Sequence, residues 1–151
     1  MNNVVIKSIL YSDASEAIHK IRDQVFVAEQ GIDPRLEFDG MDDRAKHFLA
    51  YSQAQPIGTV RVRNWSENTA KIERLAVLPA FRGQGIGTQI MEAALSDLSN
   101  AGVEQVIVYA QIHARPFYRK LNFVAQGEPF SEAGILHYKM AKCLTLRDPN
   151  I

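Results

Sequence analysis

A glycine-spaced loop that follows an apolar strand is the feature that most constrains how this chain folds. The stretch Ile72–Thr88 reads IERLAVLPAFRGQGIGT, so an apolar run ends at a proline-marked turn and three alternating glycines lead into a helical pattern. Backbone N–H groups in the first turn of a helix lack intrahelical acceptors and carry partial positive charge. The sequence therefore predicts an anion-binding turn between a strand and a helix.

The loop lacks the residues of two common nucleotide-binding motifs. Thr88 stands where a dinucleotide fingerprint needs its third glycine, and no Gly-Lys-Ser/Thr sequence is present for a triphosphate loop. No acidic residue follows the strand to hold a metal ion. These observations favour a pyrophosphate held by main-chain N–H groups, as in a coenzyme A site. A glycine-rich turn that only lets the helix pack on the strand has the same spacing, and spacing alone leaves that alternative open.

Composition limits the partners and the domain count. The 151 residues fit a single domain, 1–151, and 17 Lys and Arg are balanced by 17 Asp and Glu. No global charge attracts nucleic acid or an anionic membrane. The single cysteine, Cys143, is compatible with a reducing cytoplasm, and no apolar run is long enough to span a bilayer. We expect a cytoplasmic protein that binds neither nucleic acid nor membrane.

Strand and helix patterns alternate along the chain. We predict a helix that starts at Ser12 or Asp13, either of which can cap it, and ends at about Ala28. A second helix follows the glycine loop, and a short one spans Pro116–Leu121. The apolar stripe of the second helix consists of Ile86, Ile90, Ala94 and Leu98. The predicted strands are Val4–Leu10, Lys46–Ser52, Ile57–Asn64, Ala70–Leu78, Gln105–Ala110, Phe123–Gln126 and Ile135–Ala141. This order predicts an α/β or α+β domain built on a mixed sheet.

Two segments resemble the signature motifs of the GNAT superfamily of N-acetyltransferases. Residues Arg82–Gly87 match the pattern (Gln/Arg)-x-x-Gly-x-(Gly/Ala). The second segment resembles Asn-x-x-Ala-x-x-x-Tyr-x-x-x-Gly-Phe and reads Gln111-x-x-Ala114-x-x-x-Tyr118-x-x-Leu121-Asn122-Phe123. Gln111 and Asn122 depart from that pattern, although asparagine tolerates the same left-handed backbone as glycine.

Shorter segments resemble the ElaA-like branch of this superfamily. They are Arg22-x-x-Val25-Phe26-x-x-Glu29-Gln30, Ala45-x-His47, Ala110-Gln111-x-His113 and Gly134-Ile135-x-His137-x-x-Met140. The resemblance implies one N-acetyltransferase domain with a mixed, mostly antiparallel sheet of six to seven strands and helices on both faces. It also implies acetyl-CoA as the acyl donor, no metal, and direct transfer to a primary amine.

The resemblance implies that particular residues of this chain contact the coenzyme, most of them through their main-chain groups. The implied coenzyme contacts are Leu75, Ala76, Val77, Arg82, Gly83, Gln84, Gly85, Ile86, Gly87, Thr88, Gln111 and Tyr118. The strand amides would pair with the pantetheine arm, and one of them would polarise the thioester carbonyl. The loop amides and the Thr88 hydroxyl would hold the pyrophosphate.

Acyl transfer also needs an acid for the departing thiolate and a base for the amine. Tyr118 is the predicted acid, and packing beside Phe117 is the structural alternative. Glu73 is the predicted base, and a pair with Arg74 or Arg61 is its alternative. His113 is a candidate proton relay, although a structural role is open for it as for the other histidines. No two histidines have metal-ligand spacing.

The acceptor side is predicted from charge. Arg22 and Glu29 lie seven residues apart on the first predicted helix, hence on one face. With the acidic residues of the loop up to Asp43 they would line a site for a cationic amine, and a solvated acidic loop is the alternative. His47 and His137 are further predicted substrate contacts. The expected acceptor is a small-molecule amine or a peptide, and paired C-terminal strands offer an edge for a homodimer.

Two other functions stay open at this point. An acyl-CoA-binding sensor on the same fold would keep the glycine loop but lack a working acid and base. A different nucleotide-binding enzyme would bind ATP or NAD in place of coenzyme A.

Overall fold

A mixed sheet organises the computed structural model, which describes residues 3–144. Within these residues the sheet has seven strands in the order β1-β2-β3-β4-β5-β7-β6. They are β1 (Val4–Ile9), β2 (Lys46–Ser52), β3 (Gln55–Ser66), β4 (Thr69–Val77), β5 (Gln105–Gln111), β6 (Val124–Glu132) and β7 (Ile135–Cys143). Neighbouring strands are antiparallel except β4 and β5. The predicted fold class is confirmed, and β6 lies at one edge of the sheet.

Helices cover both faces of the sheet. They are α1 (Tyr11–Arg22), which continues as a π-helix (Asp23–Glu29), α2 (Pro34–Glu37), α3 (Ile86–Asn100) and α4 (Arg115–Lys120). The predicted stripe of α3 is buried against a face that includes Phe48 and Ala50 of β2. The alternate residue Leu49 packs with Ile18 and Ile21 of α1. Because successive residues of β2 point to opposite faces of the sheet, the strand contributes to a separate apolar layer on each face. In the described part of the chain, no helix is long and apolar enough to cross a membrane.

The only parallel pair in residues 3–144 is also the shortest pairing in the sheet. Strand β4 pairs with β5 only where Thr69–Lys71 faces Gln105–Ile107, and beyond these residues the two strands separate. A β-bulge follows on the β3 side, where Arg74 has a φ of 60°. A bulge bends its strand and increases the local twist, so it favours the divergence of β4 from β5.

The first helix differs from its prediction. It begins at Tyr11 and not at Ser12 or Asp13, its cap residue Leu10 makes no side-chain capping bond, and Ala14 interrupts it with a non-helical φ of −144°. Its second part is the π-helix, whose i→i+5 hydrogen bonds make wider turns than an α-helix. The wider turns change which residues share a face, with consequences for the site.

Candidate active site

A cleft of about 710 Å³ opens where β4 and β5 separate. It is bordered by β4, the glycine loop, the end of β5, α4, the chain between the π-helix and α2, and the β6–β7 turn. Of the twelve predicted coenzyme residues, eleven line this cleft, and Gln84 does not. No group of three or more His, Cys, Asp or Glu in residues 3–144 is arranged to hold a metal ion.

The glycine loop forms an open cradle at the start of α3. Gly83 and Gly85 have φ values of 76° and 79°, and Gly85 is the cap residue of the helix. A Cβ built on either glycine has nothing within 4 Å, so the space over the loop is empty of protein atoms. The first turn, Ile86–Thr88, leaves its N–H groups without intrahelical acceptors at this space. The loop has the donors and the room that a phosphate group requires.

One edge of β4 is available to a ligand. Beyond Lys71, this strand keeps its pairing with β3 but has no pairing with β5 in the described residues. An extended molecule can pair with such an edge in the manner of an added strand. The exposed edge leads from Lys71 to Val77 and so points toward the glycine loop.

Tyr118 lies in α4 at the same cleft. Its ring packs edge-on against Phe117 and Phe123, with ring centroids 5.0 and 5.6 Å away. Asn122, with a φ of 69°, ends the helix in the left-handed conformation expected at that motif position. Burial raises the pKa of Tyr118 to about 12. Its phenol therefore stays protonated and available as a donor throughout the ordinary pH range.

The carboxylate of Glu73 is paired with cationic side chains. Burial alone would raise the pKa of this residue, but a 2.5 Å hydrogen bond from Arg63 Nε and the charges of Arg61 and Lys71 lower it to about 2. A carboxylate this acidic is a weak proton acceptor. The geometry thus corresponds to the alternative of a pair with Arg61, whereas Arg74 Nε lies 3.0 Å from Glu37 Oε1.

The histidines occupy three different environments. His113 and His137 line the cleft, but His47 does not and is fully buried. His137 Nδ1 lies 2.7 Å from the carbonyl oxygen of Ile135, which only accepts, so Nδ1 donates this hydrogen bond. His47 Nε2 lies 3.0 Å from the carbonyl oxygen of Asp42. The structure brings His113 and His137 to the site and separates His47 from it.

The π-helix separates Arg22 from Glu29. Because its turns are wide, a spacing of seven residues no longer equals two turns, and the two side chains point to different places. Arg22 is buried, with Nε 2.6 Å from Glu37 Oε2 and Nη1 2.5 Å from Asp42 Oδ1. It does not line the cleft, whereas Glu29 does and pairs with Arg82 at 2.6 Å. The seven-residue spacing was therefore the wrong basis for placing Arg22 at an acceptor site.

Sequence reasoning missed two side chains of the cleft. Gln30 Oε1 accepts a 2.8 Å hydrogen bond from Gln111 Nε2, which links the end of the π-helix to β5. Lys71 Nζ lies 3.6 Å from the centre of the Tyr109 ring. Lys71 lies two residues before Glu73 and therefore on the same face of the strand, which was the signal that the sequence offered for it.

The burial of His47 gives a testable pH dependence. Burial lowers the pKa of His47 below its ordinary value near 6.5. The unfolded chain then binds more protons, so the free energy of unfolding should fall as the pH drops through about 6.5, by at most about 1.4 kcal/mol per pH unit. We expect urea unfolding between pH 7.5 and 5.5 to show this loss, and His47→Gln to reduce it. The matched control is His113→Gln. If the free energy of unfolding changed equally with pH in the wild type and in His47→Gln, the prediction would be contradicted.

The diverging sheet and its glycine loop define the acyl-CoA N-acyltransferase fold. The crystal structure of an acyl-CoA N-acyltransferase from Pseudomonas aeruginosa matches with a TM-score of 0.82 at 30% identity, covering 93% of this chain and 99% of that chain. Escherichia coli ElaA matches with a TM-score of 0.81 at 26% identity, covering 92% and 99%. The uncharacterised N-acetyltransferase YjcF of Bacillus subtilis is 34% identical over 123 residues, 81% of this chain and 87% of YjcF.

The family model of the acetyltransferase (GNAT) domain matches residues 10–144. The chain belongs to this family, and the predicted resemblance to GNAT acetyltransferases and to ElaA is confirmed. It is therefore an acyltransferase.

Proposed function

We propose that this protein transfers an acetyl group from acetyl-CoA directly to the nitrogen of a primary amine. The observation that carries the proposal is the placement of three features in one cleft. These are the open edge of β4, the phosphate-sized cradle before α3, and the phenol of Tyr118.

The coenzyme site would be built mainly from main-chain groups. N–H groups of Ile86, Gly87 and Thr88 would hold the pyrophosphate, with Gly83 and Gly85 leaving room for it. The edge of β4 would pair with the pantetheine arm, and an N–H group there would stabilise the developing oxyanion. The side chain of Arg82 is turned away to Glu29, so the loop backbone supplies the phosphate donors.

The transfer step needs no covalent enzyme intermediate. The amine nitrogen bonds to the thioester carbon and gives up a proton to a base in the cleft or to water, the C–S bond breaks, and the sulfur leaves as a thiolate. Tyr118 would donate its phenolic proton to that sulfur. Positioning and carbonyl polarisation would supply most of the rate enhancement.

Coenzyme binding is tested by thermal unfolding with added ligand. At about 100 times its Kd, coenzyme A should raise the Tm by roughly 5–10 °C, because it binds only the folded chain. ATP and NAD should give no comparable increase. Stabilisation by ATP or NAD and none by coenzyme A would contradict the proposal.

Two glycine substitutions provide a matched comparison for the cradle. Gly85 and Gly102 both have left-handed φ values, 79° and 82°, and a Cβ at either position meets nothing within 4 Å. Gly85→Ala and Gly102→Ala should each cost about 1–2 kcal/mol of stability for the same backbone strain. Only Gly85→Ala places a methyl group in the cradle, so only this variant should lose the Tm increase with coenzyme A. If coenzyme A raised the Tm of Gly85→Ala as much as that of the wild type, this loop would be excluded as the phosphate site.

Turnover is tested by release of the coenzyme A thiol from acetyl-CoA. The acceptor panel contains small amines, amino acids, peptide N-termini and lysine side chains. Thiol release that depends on one class of amine supports transfer. Coenzyme binding without turnover on any amine supports the acyl-CoA-binding sensor.

A further inference from the structure

Lys71 occupies the closed end of the cleft. It is the last residue of β4 that pairs with β5, so the two strands separate just beyond it. Its side chain is 7% exposed and lines the cleft. An acyl donor anchored at the glycine loop and lying along β4 from Val77 toward Arg74 has its acyl end directed toward this side chain.

The surroundings of the Lys71 ammonium are aromatic and of mixed charge. Nζ lies 3.6 Å from the ring centre of Tyr109 and 4.7 Å from that of Trp65. Glu73 Oε1 is 3.4 Å away, and Arg63 lies directly opposite on β3. Burial lowers the pKa of Lys71, as does the charge of Arg63, against the opposing effects of Glu73 and Glu132.

The neighbouring carboxylates of Glu73 and Glu132 favour the protonated form of Lys71 and so oppose the effect of its burial on the pKa. The negative charge of Glu73 is shared with Arg61 and Arg63, whose Nε atoms lie 2.7 and 2.5 Å from Oε2. Glu132, at the end of β6, is exposed and faces solvent as well as the cleft. His137 is the other basic group on this side, from β7.

We propose that Lys71 is the proton acceptor of the acetyl transfer, which makes it a catalytic residue that complements Tyr118. This inference rests on the proposed function. As the C–N bond forms, the acceptor nitrogen loses a proton to Lys71 Nζ, which has first given up its own proton to solvent. The C–S bond breaks, and the sulfur takes a proton from Tyr118. A proton that returns from Lys71 to solvent, and one from solvent to Tyr118, restore both groups.

A charged acceptor reinforces this role. Two ammonium groups in one desolvated cleft repel each other, so the arrival of an amine as its cation favours loss of one proton from the pair. Loss of the second proton to solvent leaves Lys71 and the acceptor both neutral, which is the state from which attack begins.

The protonation of Lys71 can be measured on the protein alone. In protein carrying ¹³C at the lysine ε carbons, NMR signals are followed against pH, and Lys71→Met identifies the signal of residue 71. We expect Lys71 to titrate below the ordinary lysine value of about 10.4. A Lys71 signal that titrates at or above that value would overturn the proposal.

Kinetics with the most active amine of the panel test the chemical role. Lys71→Met and Lys71→Arg should each lower kcat by roughly 10²–10⁴-fold, because neither side chain accepts a proton near neutral pH. The Tm increase with coenzyme A should persist in both, and Lys46→Met should retain full turnover. Full kcat in Lys71→Arg would show that a fixed cation suffices and would overturn the proposal.

The acidic limb of the pH–rate profile links the two measurements. Lys71→Cys in a Cys143→Ser background, alkylated with 2-bromoethylamine, restores an amine of lower pKa at this position. We expect turnover to recover and the acidic limb of the pH–rate profile to shift to lower pH. A limb that stays in place, or that moves instead in His137→Gln, would overturn the role of Lys71 while leaving acetyl transfer intact. Absence of turnover in wild type would instead refute the proposed function and this inference with it.

Discussion

Replacement of Tyr118 by phenylalanine is expected to lower kcat for acetyl transfer by roughly 10²–10⁴-fold. The variant keeps the ring that packs against Phe117 and Phe123 and removes only the phenolic hydroxyl. The thiolate of coenzyme A then leaves without an acid, while the main-chain groups that would hold the coenzyme are unchanged. Thiol release from acetyl-CoA measures kcat, and thermal unfolding with coenzyme A measures binding, which should match wild type.

The pH profile of the wild type provides a second readout of the same residue. Because the pKa of Tyr118 is raised to about 12, its phenol is still protonated at pH 10. Loss of activity that titrates at a lower pH on the alkaline side would therefore be inconsistent with Tyr118 as the acid. Tyr51→Phe, on β2 and outside this cleft, is the matched control and should retain full kcat. Full turnover in Tyr118→Phe would exclude the phenol as the acid.

The glycine-loop side of the cleft could be predicted because local rules determine it. The α3 stripe follows from a helical period, and the left-handed backbone at Gly83, Gly85 and Asn122 follows from residue type. Each of these features depends on neighbours in the sequence. The motifs therefore located the main-chain donors before the strand pairing was known.

The opposite side of the cleft could not be predicted in the same way because distant residues determine it. The π-helix changes the phase between Arg22 and Glu29, and no residue pattern in that segment distinguishes it from an α-helix. The bulge at Arg74 places a non-glycine residue at a φ of 60°, which only the surrounding contacts can compensate. Lys71 was not predicted as a site residue because its environment depends on Tyr109, which lies 38 positions further along the chain.

A buried network of charges joins these distant parts. Arg61 is 1% exposed and lies at its centre, with Nη1 2.8 Å from Asp39 Oδ1 and 3.1 Å from Asp42 Oδ1. The same guanidinium contacts Glu73 through Nε at 2.7 Å. Arg22 shares Asp42, and Arg74 shares Asp39 at 3.4 Å. Within the acidic loop, Glu37 and Asp42 are buried in this network, Asp39 and Asp43 are exposed, and only Glu37 lines the cleft.

Loss of Arg61 should have the largest effect on stability. Arg61→Met keeps the apolar length of the side chain but leaves the charges of Asp39, Asp42 and Glu73 with fewer partners in a buried site. Removal of one member of a buried ion pair typically costs about 3–5 kcal/mol, because the partner charge stays desolvated. We expect the free energy of unfolding in urea to fall by about that amount, with the midpoint shifting to lower urea and the slope nearly unchanged.

Arg35 offers the matched control because it makes the same kind of pair in water. Its guanidinium is 90% exposed and lies 2.8 Å from Asp33 Oδ2, so Arg35→Met should leave the urea midpoint nearly unchanged. A comparable loss in both variants would mean that burial does not govern the Arg61 network. If only Arg61→Met loses stability, the network is what fixes the loop up to Asp42 against β3 and β4. That contact would then set the shape of the acceptor side of the cleft.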